Sequence, residues 1–178
     1  MNCIDSETKF ATAHLFVDKR SLENRVKFLS QIKKKCYKQI LERYYIKKFT
    51  KIDKRIIFVS DKFSNYKNAF NKLFYRVCKL QFGVPIACKK FGLKHNNNAV
   101  ERYNGKLKDR MNCRRGEFKS FEYAEAFMNL QNVVNNFVNS HQQLGGKTPA
   151  EEAEIELKFG RMKLFDLIKI VAQKSGDD

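Results

Sequence analysis

Three acidic residues of this chain stand where acid chemistry would want them: Asp5, Asp61 and Glu101. Asp5 closes a short apolar run at residues 1–5. Asp61 ends RIIFVS (55–60), a nearly all-apolar stretch with the mark of a central strand buried on both faces. The carboxyl end of such a strand is where α/β sheets hold their ligands. Glu101 lies in the first turns of a helix that follows a run of asparagines. Carboxylates from separate elements can share hard divalent cations, which take oxygen ligands. Two such ions about 4 Å apart would clamp the attacking and leaving oxygens of an in-line phosphoryl displacement. Taken singly, each acid has a plainer use. Asp61 can form a turn or cap a helix, Glu101 can serve the helix dipole, and Asp5, near a terminus, can have no task.

The helix that carries Glu101 adds to the case. Counting by three, four and seven, Asn97, Asn104, Gly105 and Lys108 fall on or near its face. The apolar stripe Val100, Tyr103, Leu107 and Met111 lies beside that face, which puts Glu101 at the rim of a core and facing a cleft. Lys108, two turns further along, is placed to meet a phosphate, and Gly105 admits a close approach of backbone or nucleic acid.

These residues need elements to position them. Residues 8–17 (TKFATAHLFV) read as a strand. Ser21 can cap a helix with the stripe Leu22, Val26, Leu29, Ile32 and Cys36, which runs on into a basic stretch. Residues 66–76 form an amphipathic helix with Ala69, Phe70, Leu73 and Phe74 on one face, and residues 77–87 a further strand weakened by Gly83 and Pro85. After the helix at about 99–111, Ser120 caps another that reaches about residue 140, with Ala124, Phe127, Met128, Leu130, Val134, Phe137 and Val138 as its stripe. Thr148-Pro149-Ala150-Glu151 is a capping box with proline at the first helical position. A last helix is expected near 161–172. The order is strand, strand, helix, strand, helix, strand, helices, so the expected class is α/β: a mixed sheet flanked by helices, with a helical C-terminal part.

Composition narrows the partners. The chain has 178 residues and a net charge of +17. Residues 151–178 hold 7 acids and 5 bases, a balance of −2, which leaves +19 on residues 1–150. Such a field attracts a polyanion, most often nucleic acid. No apolar run approaches the roughly 18 residues that span a membrane, and the first residues are not a signal peptide. Cys3, Cys36, Cys78, Cys88 and Cys113 are scattered, with no CxxC pair and no zinc pattern with the three histidines, so they read as reduced thiols of a cytoplasmic protein.

The local sequences carry more than the spacing does. HNNNAVERYNGKLKDR (95–110) resembles the stretch around the third acid of the DDE-type insertion-sequence transposases, within the retroviral-integrase-like superfamily: Asn, a hydrophobic residue, Glu-Arg, an aromatic, Asn-Gly and a basic helix. RRGEFKSFEYAEAFMNLQNVVNNFVNSHQQLGGKTPAEEA (114–153) resembles that family's tail, FVSDKFSNYKNAF (58–70) the segment of the second Asp, and IDSETKFATAHLFVDKRSLENRVKFL (4–29) that of the first. The gaps of 55 and 39 residues between the three acids suit the pattern. Lys62 stands where the family usually has Gly, and Glu117 looks inserted in its Arg-Arg-Gly-Phe run.

The resemblance implies an RNase H-like catalytic core over residues 1–142 and a helical extension over 143–178. It implies catalytic and metal-binding roles for Asp5, Asp61 and Glu101, and Mg²⁺ or Mn²⁺ as the metal. DNA, both transposon ends and target, would be met by Asn104, Lys106, Lys108, Arg110, Arg114 and Arg115, with Lys33, Lys34, Lys35 and Lys119 as further phosphate contacts. The expected reaction is cleavage at the transposon end followed by strand transfer, by a nucleoid-associated homo-oligomer. Family members usually begin with a DNA-binding helix-turn-helix region. Asp5 leaves no room for one, so the expectation is an N-terminally truncated chain with no separate DNA-binding domain. Asp18 is the fallback first acid. Two rivals stay open: a catalytically inactive remnant that binds only DNA or an intact transposase, and a basic RNA-binding protein with no active site.

Overall fold

The computed structural model describes residues 1–19, 21–61, 64–82, 97–113, 116–155, 157 and 159–175. It is a mixed α/β protein whose element order follows the expectation: β1 (Asn2–Ile4), β2 (Ala11–His14), α1 (Leu22–Thr50), β3 (Ile57–Ser60), α2 (Ser64–Phe74), β4 (Lys79–Phe82), α3 (Asn98–Asn112), α4 (Phe121–Val133), α5 (Pro149–Glu152) and α6 (Lys163–Ser175). Among the described residues the strands make two two-stranded sheets, β1 with β2 and β3 with β4, in place of one mixed sheet. In β3, Ile57, Phe58 and Val59 are half-buried and only Ser60 is buried, where burial on both faces was expected. Residues 83–87 of the expected fourth strand lie outside the described residues.

The chain divides into two compact units. The first comprises Met1–Cys3 and Thr12–Asp109. Its long helix α1 starts where Ser21 accepts a hydrogen bond from the Asn24 amide at 3.1 Å and ends where Lys51 turns left-handed (φ 58°) and donates its amide to the Lys47 carbonyl. Phe28, Leu29, Ile32 and Ile40 of α1 are buried with Ala69, Phe70 and Phe74 of α2, together with Ala13, Leu15 and Cys78. The face predicted for α2 is the one it buries. Phe58 of β3 stacks on Phe74 with ring centres 5.1 Å apart and meets Phe70 at 5.6 Å, which seats the strand on the helix. Burial pushes the Cys78 thiol up to about 12, with Arg55 opposing the shift.

β3 and β4 run parallel in the register Ile57 to Lys79 through Ser60 to Phe82, joined by α2 as the crossover. An ionic clasp holds their starting ends. Asp53 takes Arg55 at 2.9 Å and Lys79 at 2.7 Å, and Arg55 also donates to the Arg76 carbonyl at 3.0 Å. Hydrogen bonds from Arg55 and Lys79 hold the Asp53 carboxyl well below the usual carboxylate range. A lowered folded-state value means the clasp contributes fully above the unfolded carboxyl's value, roughly pH 4, and weakens as pH falls from there. Asp53→Asn should therefore lower the melting temperature at pH 7, and the difference should shrink progressively in melts run further and further below about pH 4. A difference that stayed constant across this range would remove the clasp from the stability of the pair.

The second unit comprises Ile4–Ala11 and Arg110–Asp178. Ser120 caps α4, accepting from the Tyr123 amide. The α-helix stops at Val133 and continues as a π-helical turn, Val134–Val138, short of the predicted end near residue 140. The wider turn rotates the register. Ala124 is buried as predicted and Phe127, Met128, Val134, Phe137 and Val138 are half-buried, but Leu130 is exposed, and Asn132, Asn135 and Asn136 are buried beside the stripe. Asn136 gives the physical reason. Its Oδ1 accepts from the Ala11 amide at 2.8 Å and its Nδ2 donates to the Ala11 carbonyl at 3.0 Å, so one side chain imitates a strand neighbour for β2. Phe137 packs edge-on against Phe10, ring centres 6.0 Å apart. Asn136→Ala would strip both partners from a buried backbone unit, a cost of about 2–4 kcal/mol. A fall in melting temperature of roughly 10 °C or more is expected, followed by circular dichroism. A fall under about 2 °C would show that water replaces the amide without cost.

The capping box at Thr148 is present in full: Thr148 Oγ1 accepts from the Glu151 amide and Glu151 Oε2 from the Thr148 amide. Lys163 at the start of α6 then pairs with Glu151 at 2.6 Å.

Candidate functional site

Asp61 follows β3 directly and is exposed. Its surroundings in the first unit are legible through Tyr66, on the first turns of α2. Burial drives the Tyr66 hydroxyl above its ordinary value, the nearby Cys3 thiol and Asp61 carboxylate push the same way, and Arg25 opposes them. The Arg25 guanidinium lies 5.8 Å from the Tyr66 ring centre and is 2% exposed. Cys3 of β1, Asp61 and Arg25 thus each act on the Tyr66 hydroxyl, and Arg25 is the one packed on its ring. Lys62, beside Asp61 in sequence, lies outside the described residues.

Glu101 occupies the first turn of α3, its amide bonded to the Asn97 carbonyl at 3.0 Å. Tyr103 and Leu107 are buried behind it, while Glu101, Asn104, Gly105, Lys106 and Lys108 are exposed, which is the division of faces the spacing predicts. Val100 is half-buried and Met111 exposed, so the apolar stripe ends before the last turn. A Cβ added at Gly105 would meet no described residue within 4 Å. Asn104 accepts a hydrogen bond from Asn2 Nδ2 of β1 at 2.8 Å. That bond ties the Glu101 face of α3 to β1. Among the described residues, Asn2 Oδ1 and Asn97 Oδ1 are buried acceptors without a hydrogen-bond partner.

Asp5, at the end of β1, belongs to the second unit. It is exposed and shapes the hairpin turn: its Oδ1 accepts from the Glu7 and Thr8 amides, both at 2.8 Å, its amide donates to the Phe10 carbonyl, and its carbonyl accepts from Lys9. Asp5 thus has the turn-forming role that short polar side chains take at such places. Asp18, the fallback, accepts from its neighbour Lys19 at 2.7 Å and is an exposed local turn residue.

Of the predicted DNA contacts, Lys106 and Lys108 are exposed on α3, and Lys119 is exposed ahead of α4. Arg110, on the last turn of α3 and counted with the second unit, donates to Gln131 Oε1 of α4 at 2.5 Å. Arg114 and Arg115 lie outside the described residues. On α1, Lys34 is exposed, Lys33 sits over the Tyr37 ring at 4.9 Å, and Lys35 donates to the Thr12 carbonyl at 3.0 Å.

Sequence reasoning missed the buried Arg25, which packs on Tyr66, and Asn2, which bonds Asn104. One signal was available: Arg25 sits three residues after Leu22 and four before Leu29, inside the apolar stripe, where a basic residue implies a buried partner.

The donor types suit a hard dication. Carboxylates at Asp61 and Glu101 and two unsatisfied amide oxygens in the same unit are oxygen ligands of the kind that Mg²⁺ and Mn²⁺ take. Among the described residues, however, no three His, Cys, Asp or Glu side chains form a group that could hold a metal ion. No described helix is long and apolar enough to cross a membrane. No family model, no curated protein and no solved structure matches the chain.

Proposed function

We propose that this chain is the catalytic domain of a DDE-type transposase, an RNase H-like core that cuts transposon-end DNA and transfers the freed strand to a target. The proposal rests on the sequence resemblance around Asp5, Asp61 and Glu101. The observation that supports it best is the hydrogen bond from Asn2 of β1 to Asn104 on the Glu101 face of α3, which joins the first strand to the helix of the third acid. In this reading Asp5, Asp61 and Glu101 hold Mg²⁺ or Mn²⁺, which would supply electrophilic stabilisation of the displaced oxygens. Lys106, Lys108, Arg110, Arg114 and Arg115 bind the phosphate backbone, Asn104 holds α3 to β1, and the active form on paired ends is a homo-oligomer at the nucleoid.

One finding favours a second reading. The Asp5 carboxylate is engaged by the amides of its own turn, and the described carboxylates make no metal-holding group. A chain of the same descent that binds DNA without cutting it fits those facts. Strand transfer on end-containing duplex with Mg²⁺ separates the two. Products that vanish with Asp61→Asn and Glu101→Gln support the enzyme. DNA binding without products, from the wild type in Mg²⁺ and in Mn²⁺, rejects the enzyme and leaves the remnant.

A further inference from the structure

We infer that the C-terminal half of α1 is a binding surface for single-stranded nucleic acid, with Tyr45 and Phe49 as the platform for unpaired bases. The inference stands on α1 alone and holds under either reading of the acidic residues.

α1 has 29 residues, roughly 43 Å of helix, whereas its partner α2 has 11, roughly 16 Å. The buried residues of α1 end at Ile40. The last turns are therefore not accounted for by the core, and their composition is unusual. The helix carries nine Lys or Arg against two Glu. By helical angle Lys27, Lys34, Lys38, Tyr45 and Phe49 fall in one stripe opposite the buried residues Phe28, Leu29 and Ile32. All five are exposed, Phe49 at 78%. Tyr45 and Phe49 are one turn apart, with ring centres 6.5 Å apart and planes inclined by 31°. Tyr44 braces Tyr45 edge-on at 5.7 Å.

Exposed rings in a row of lysines are a poor surface for an apolar protein partner, because the ammonium groups around them would have to be desolvated. They suit a polyanion that also has flat apolar faces. Single-stranded nucleic acid is that ligand: its phosphates pair with a basic track and its bases stack on aromatic side chains. A duplex offers the same phosphates but keeps its bases stacked on one another, so the rings discriminate between the two.

The test uses the full chain with a fluorescent 20-nucleotide oligothymidylate and, separately, a duplex of random sequence, by anisotropy over a salt series. Tyr45→Leu with Phe49→Leu should weaken binding to oligothymidylate roughly tenfold per ring and leave duplex binding within twofold. Tyr45→Phe with Phe49→Tyr keeps both rings and should retain the affinity. Lys34→Gln and Lys38→Gln should each lower the slope of log affinity against log salt by roughly 0.7 on the single strand. Phe49→Leu alone, at the most exposed ring, reads the same effect should the double variant fail to fold. Equal losses on single strand and duplex overturn the inference, as does unchanged single-strand affinity. A double variant whose only change is a smaller sedimentation coefficient also overturns it, and assigns the rings to self-association.

Discussion

Glu101→Gln is expected to reduce strand transfer roughly a hundredfold or more while leaving DNA affinity equal to or slightly above that of the wild type. Amide replaces carboxylate with little change in size, and Glu101 is exposed, so no packing is lost. The helix loses a first-turn acid, a cost of about 0.3–1 kcal/mol, too small to unfold the first unit. Removing a negative charge from a face that also carries Lys108 can only favour a polyanion. Activity and binding thus move apart, which a misfolded variant could not produce because it would lose both. Paired measurements on one preparation, gel-resolved strand transfer and anisotropy on the same end duplex, read the two quantities. Residual transfer within threefold of the wild type would take Glu101 out of the chemistry.

The largest effect on stability should come from Phe74→Ala, about 3–5 kcal/mol. Phe74 is 0% exposed, stacks on Phe58 at 5.1 Å and meets Phe70 at 5.6 Å. Its removal leaves a cavity where α2 holds β3, and neither backbone can collapse to fill it without breaking the β3–β4 register. Urea denaturation with an unchanged slope and a lower midpoint is the expected record. Phe49→Ala is the control: the same substitution at a ring 78% exposed should fall within about 0.5 kcal/mol of the wild type. Equal costs at the two positions would mean that the aromatic cluster is not the core of this unit. Together the pair separates rings that hold the fold from rings available to a ligand.

What could be read from the sequence was local. Ser21, Ser120 and the Thr148–Glu151 box start their helices where predicted, because a cap and its amides lie within four residues of each other. The faces of α2 and α3 were legible for the same reason, since a stripe is set by helical pitch alone. Features that depend on distant partners were not. Nothing near Asn136 in sequence announces that Ala11, 125 residues away, needs its side chain, so a buried Asn beside the apolar stripe was not expected. The single mixed sheet was inferred from the order of strands and helices, but that order does not say how many neighbours a strand has. For the candidate site, the helix face of Glu101 and the strand-end position of Asp61 were readable. The engagement of Asp5 by the amides of Glu7 and Thr8 was readable in principle, as an Asp two and three residues ahead of free amides commonly closes a turn.

The π-helical turn at Val134–Val138 also bears on how this chain tolerates changes of length. Such a turn is an α-helix with one residue too many, retained where the displaced side chain has a use. Deleting one residue there would let regular α-helix run through and re-aim the side chains within the turn, Asn136 among them, while the residues on either side kept their register. Asn136 would leave Ala11 even though its own codon was untouched. Homologous chains that keep the asparagine but not the extra residue would have had to satisfy the β2 backbone by another route, so insertions and deletions in this turn are coupled to the sequence of the hairpin.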